Sequence, residues 1–134
     1  MKPIFLSLVA IAISTPCAFA EPAMSAQDFE TYTLGKTLIF GRNGQAYGAE
    51  QYLQNRSVVW SFLDGQCKEG YWYPEGDNIC FIYEDNPDSP QCWSFEQSAR
   101  GLIAQFQDGS MSEPLYEAQD SSEDMVCLGP ETGV

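Results

Sequence analysis

The sequence predicts a mainly β domain: an antiparallel meander that closes into a small barrel or folds into a sandwich, entered through one short helix. Three observations predict it. From Thr37 onward, apolar and aromatic residues recur in short alternating runs, the period of a half-buried strand. Turn signals such as Asn43-Gly44, Asp64-Gly65 and Asp108-Gly109 divide those runs, at the spacing of an all-β fold. The connections are also too short for the helical crossovers that parallel strands need. The stretch 64–95, DGQCKEGYWYPEGDNICFIYEDNPDSPQCWSF, organises the rest, holding three of the five cysteines and two of the three tryptophans.

The elements follow in order. Ser25 stands three residues before Asp28, a capping pattern that places an acid at the positive end of a helix. A helix over 25–32 would present Phe29, Tyr32 and Leu34 and end at Gly35. The first strand is 37–40, and the Asn43-Gly44 hairpin signal leads into a second over 45–53. There Ala46, Gly48, Glu50 and Tyr52 share one face, and Tyr47, Ala49, Gln51 and Leu53 the other. In 57–63, Val58, Trp60 and Phe62 alternate with Ser57, Val59, Ser61 and Leu63. Strands over 70–74 and 79–84 flank the turn 74–78. After the proline-containing loop 85–90 come strands over 91–96 and 100–107, the latter the last of the core. A short edge strand over 114–118 is expected, then a loose acidic tail, 119–134, secured by Cys127.

The first twenty residues read as a secretory signal peptide. Lys2 precedes an apolar run over 4–13, and Ala18-Phe19-Ala20 is a small-x-small cleavage site. The run is about ten residues, half of the ~20 a membrane-spanning helix needs. Cleavage after Ala20 would leave a single domain, 21–134, with its core over about 35–118, in the periplasm or outside the cell and without stable membrane insertion. Acylation of Cys17 is the rival reading, opposed by Pro16 before it and by Ser14 where an aliphatic residue is wanted. Removing Lys2 from the six basic residues leaves five against nineteen acidic ones, a formal charge of −14. So negative a surface repels nucleic acid and anionic lipid headgroups.

Four cysteines remain after cleavage: Cys67, Cys80, Cys92 and Cys127. Their spacings, 12, 11 and 34 intervening residues, and the absence of histidine suit disulfides rather than zinc. Strand parity suggests the pairing. If Ile79 faces Trp93, then Cys80 faces Cys92 directly across the hairpin, within bonding reach. Setting Trp72 opposite Ile79 leaves Cys67 about four residues, at ~3.3 Å each, from the partner of Cys80. Cys67–Cys127 follows by elimination.

Chemistry-bearing groups are sparse. Without histidine there is no imidazole relay or metal site, and with the cysteines bridged no thiol nucleophile. A carboxylate pair of the glycosidase kind is formally available among nineteen acids, but nothing marks one pair. Glu84-Asp85-Asn86-Pro87-Asp88 lacks the spaced acids and central glycine of an EF-hand loop and reads as a rigid polar turn. No cofactor is expected. If Trp72 points into the core, Tyr71 and Tyr73 stand together on the outer face, a candidate contact surface.

The motifs Gly35-Lys36-Thr37, Gly70-x-Trp72, Ile79-Cys80-Phe81-x-Tyr83 and Cys92-Trp93 resemble those of small exported proteobacterial β-domains to which no function is assigned. The resemblance spans about 35–98 and implies a periplasmic setting and a lipocalin-like or meander fold, with no activity. A more distant similarity is to lipocalin-like periplasmic inhibitors of secreted proteases. These insert an N-terminal segment into the protease cleft, a part that Glu21-Pro22-Ala23-Met24 would play here. The functional expectation is therefore a non-catalytic envelope protein that binds a partner protein or a small ligand. A protease inhibitor is the alternative, and a carboxylate-dependent hydrolase the weaker one.

Overall fold

The computed structural model describes residues 12–17 and 21–128. The expected cleavage site and most of the apolar run before it lie outside the described residues, as do 129–134. Among the described residues no helix is long and apolar enough to cross a membrane.

Helix α1 (Ala26–Thr33) precedes eight strands: β1 (Thr37–Arg42), β2 (Gln45–Tyr52), β3 (Ser57–Ser61), β4 (Lys68–Glu75), β5 (Asn78–Tyr83), β6 (Gln91–Ser98), β7 (Gly101–Phe106) and β8 (Leu115–Ser121). Each pairs antiparallel with the next, and β8 returns to β1, closing the barrel. Closure leaves no unpaired sheet edge. The barrel, not the sandwich, is therefore the fold, and the segment expected as a short edge strand becomes its closing strand. β8 pairs Tyr116 with Ile103 on one side, and Asp120 with Leu38 on the other. Alternation over 114–118 was too brief to reveal a strand that runs on to Ser121.

The ends of the barrel differ. At one end α1 lies across the opening and inserts Phe29, which is fully buried. The Phe29 ring centroid is 4.5 Å from Phe95, 5.2 Å from Trp72, 5.6 Å from Tyr52 and 6.4 Å from Phe81. The Ser25 hydroxyl accepts from the Asp28 amide at 3.1 Å and caps the helix. Met24 N–H donates to the Phe95 carbonyl at 2.7 Å, and Gly35 N–H to the Tyr52 carbonyl at 2.9 Å. The helix is thus tied to the wall at both ends. Its buried pair is Phe29 and Thr33, one turn apart, while the expected Leu34 is exposed. Thr33 is tolerated inside because its hydroxyl donates to the Phe29 carbonyl at 2.8 Å.

The opposite end is rimmed by the turns between β1 and β2, β3 and β4, β5 and β6, and β7 and β8. Cys80 pairs with Cys92 and Cys67 with Cys127, as strand parity suggested, and such bonds belong to an oxidising compartment. One supporting step is corrected: Trp72 faces Phe81, and Ile79 faces Pro74. That two-residue shift moves Cys67 still farther from Cys80. The tail is not loose over its described part. It continues β8 to Ser121 and then runs along the outside, where the Thr37 hydroxyl donates to the Glu123 carbonyl and the Gln51 amide to Asp124. Its described part reaches the open rim, with Leu128 N–H on the Gly65 carbonyl.

Replacing Phe29 with alanine removes the plug from among four aromatic rings, and should lower unfolding stability by about 3–5 kcal/mol. Denaturant midpoints measure this. A loss below about 1 kcal/mol would show that the helix does not hold that end closed.

Candidate functional site

Above the Phe29 plug the barrel is not filled. A cavity of about 170 Å³ opens toward the free rim, lined by Phe40, Tyr47, Glu50, Trp60, Tyr83 and Trp93 among others. Two glycines help explain why so aromatic a barrel has room inside. A Cβ at Gly48 would run into the Trp60 ring, and one at Gly70 would lie 2.8 Å from the Tyr83 ring. Gly48 thus leaves space for the Trp60 ring, and Gly70 for the main chain of β5 at Ile82 as well as for the Tyr83 ring.

Tyr47 joins the same box through a bulge. Phe40 pairs with Gly48 and Gly41 with Ala46, so Tyr47 has no residue opposite it. An extra residue reverses strand parity locally. The ring, expected on the face opposite Gly48 and Glu50, instead lines the cavity, 6.0 Å from Trp60 and 5.8 Å from Phe62. Phe62 itself stands at the rim, half exposed. Deeper in, Phe81 and Tyr83 are nearly parallel, with centroids 6.3 Å apart.

One buried carboxyl group lines this chamber, whose mouth also carries Lys68, Asp85, Asn86 and Gln91. Glu50, on β2 between Leu38 of β1 and Trp60 of β3, is 2% exposed. Its carboxyl accepts from the Tyr83 hydroxyl, at 3.0 and 3.2 Å to the two oxygens. Burial pushes its pKa well above the ordinary 4.5, and the Tyr83 hydrogen bond only partly opposes that. Burial likewise raises Tyr52 and Tyr83, reinforced by the Glu50 charge. No ion pair among the described residues includes Glu50. The two present are Arg56 with Glu30 at 3.5 Å and Lys68 with Asp85 at 2.5 Å. The second sits at the cavity mouth, with the Lys68 ammonium also 5.5 Å from the Phe62 ring centroid.

Of the residues singled out from sequence, Asp85 and Asn86 of the loop 84–88 stand at the chamber's mouth, and the tyrosine pair and the cysteines lie outside it. Tyr71 and Tyr73 are on the outer face, 6.4 Å apart between centroids; Tyr71 is 50% exposed and Tyr73 half-buried. Cys80 and Cys92 lie beside Glu75, but their sulfurs are bonded to each other and offer no thiolate for a metal. In the loop 84–88, Glu84 accepts from the Glu69 amide and Asp85 holds Lys68. Glu50 went unmarked because both faces of 45–53 carry a tyrosine and a small residue. Tyr52, two positions on and buried against Phe29, is what fixes the inward face. No protein-family model, curated protein or solved structure matches the chain.

Glu50→Gln keeps an oxygen for the Tyr83 hydroxyl and removes the titration. With its folded-state pKa above 4.5, the carboxyl's contribution to stability is full below about pH 4.5 and is lost as pH rises through the folded value. The variant should therefore be more stable than wild type near about pH 8, the gap closing toward about pH 4.5. Chemical denaturation at each pH reads this; a variant no more stable at the higher pH would mean a well-solvated carboxylate.

Proposed function

We propose that the chain is an exported, non-catalytic β-barrel that takes a small, largely apolar ligand into its interior. The observation that carries this reading is the cavity itself. About 170 Å³ walled by aromatic side chains and open at one rim is comparable to engineered protein cavities of ~150 Å³ that hold a benzene-sized molecule. A chamber with a few placed polar groups is the general form of a small-molecule site. The signal-peptide pattern of 1–20 and the two disulfides together favour the periplasm or the cell exterior.

The other readings have less support. An inhibitor that inserts its N-terminal segment needs that segment free, whereas Met24 is bonded to Phe95, and Pro22 and Ala23 line a shallow groove beside α1. A carboxylate-dependent hydrolase needs a convergent pair, and Glu50 is the one buried carboxyl among the described residues. Protein contact through Tyr71 and Tyr73 remains a second reading, favoured by the exposed Tyr71 ring.

Titration with toluene, followed by amide chemical shifts, separates these readings. Shifts should cluster at Glu50, Trp60, Tyr83 and Trp93 and spare Tyr71 and Tyr73. Gly48→Ala, which drives Trp60 toward the cavity, should weaken toluene at least about tenfold and cost about 1–3 kcal/mol of stability. No shifts in the barrel, or shifts confined to the outer tyrosines, would refute the interior site.

A further inference from the structure

We infer that the cavity selects a small organic cation: an ammonium group on a ring-sized apolar body, with the charge seated against Glu50 and the body between Tyr47, Trp60 and Trp93. This deepens the ligand-binding reading above and rests on it.

Four observations converge. Among the described residues Glu50 is the one buried carboxyl, and its one hydrogen-bonding partner is a neutral phenol. A lone carboxyl so buried is costly unless a cation arrives to pair with it. Lys68, the basic residue that lines the chamber, is committed to Asp85 at the mouth. The wall around Glu50 is also aromatic on several sides, from Trp60, Tyr47, Tyr83 and Trp93, and ring faces attract an ammonium. Finally, a net charge of −13 over the whole chain raises the local concentration of organic cations and lowers that of anions.

The groups facing Glu50 leave it as the seat for the charge. Tyr83 on β5 and Tyr52 on β2 are both held neutral to high pH by burial, and at the rim Lys68 of β4 and Asp85 after β5 neutralise each other. Burial favours the protonated carboxyl in the empty protein. Seating an ammonium stabilises the carboxylate, so the Glu50 proton leaves to the buffer as the ion pair forms.

Calorimetry with three size-matched probes tests this: benzylammonium, benzyl alcohol and benzoate. Benzylammonium should bind at least about tenfold more tightly than benzyl alcohol, and benzoate should not bind. The benzylammonium enthalpy should vary with the ionisation heat of the buffer, reporting the released proton. In Glu50→Gln the amine should lose its advantage over the alcohol. Equal affinities of amine and alcohol in the wild type would overturn the cation assignment and leave the ligand-binding reading standing. That wild-type comparison needs no variant to fold. An amine preference that survives in a folded Glu50→Gln protein would also overturn it, and failure of all three probes would remove both readings together.

Discussion

The seating of one phenylalanine governs the rest of this molecule. An eight-stranded barrel has an interior just wide enough for side chains to fill it or for one small ligand, and Phe29 decides how that space is divided. Its ring enters from an eight-residue helix, a length that is marginal without tertiary packing, and meets Phe95, Trp72, Tyr52 and Phe81. The helix holds its place because of that contact and the backbone bonds at its ends, and the barrel gains a solid floor. With one end packed, the apolar burial of the fold is concentrated there, and the other half is relieved of the need to be full.

That relief is used in a particular way. Gly48 and Gly70 leave room for the Trp60 and Tyr83 rings, and a bulge turns Tyr47 inward. Glycines within strands and an acid in the core each run against local preference. They converge on one chamber, and such clustered departures from the rules of folding are expected at functional sites. The carboxyl of Glu50 sets the chemistry. It imposes a cost on the empty protein that a complementary ligand would relieve, so specificity and stability are coupled through the same side chain.

Much of the architecture was legible in the sequence because strands, turns and cysteines act locally. The Asn43-Gly44 hairpin, the Ser25 cap and the facing of Cys80 and Cys92 each follow from a few neighbouring residues. Closure did not, since β8 is polar over much of its length and owes its place to partners far off in the chain. The register of β4 against β5 also slipped by two residues, a shift that preserves parity and so leaves the alternation unchanged. The chamber was the least legible feature. Alternation sorts side chains into two faces without saying which is inside, and 45–53 is balanced between them. The bulge at Tyr47 then breaks the alternation at the residue where it would have mattered. Tyr71 and Tyr73 drew attention because three aromatics in a row are conspicuous, whereas Glu50 is one acid among nineteen.

The central claim, a buried carboxyl held in an aromatic-walled chamber with no cation paired to it, can be measured directly. A titration of the side-chain carboxyl carbons by carbon-13 NMR, with Glu50 assigned, reads its protonation in the ligand-free protein. The account predicts that Glu50 titrates well above the ordinary 4.5, apart from the exposed carboxyls. A midpoint at or below 4.5 would contradict it, since the group would then be solvated or already paired.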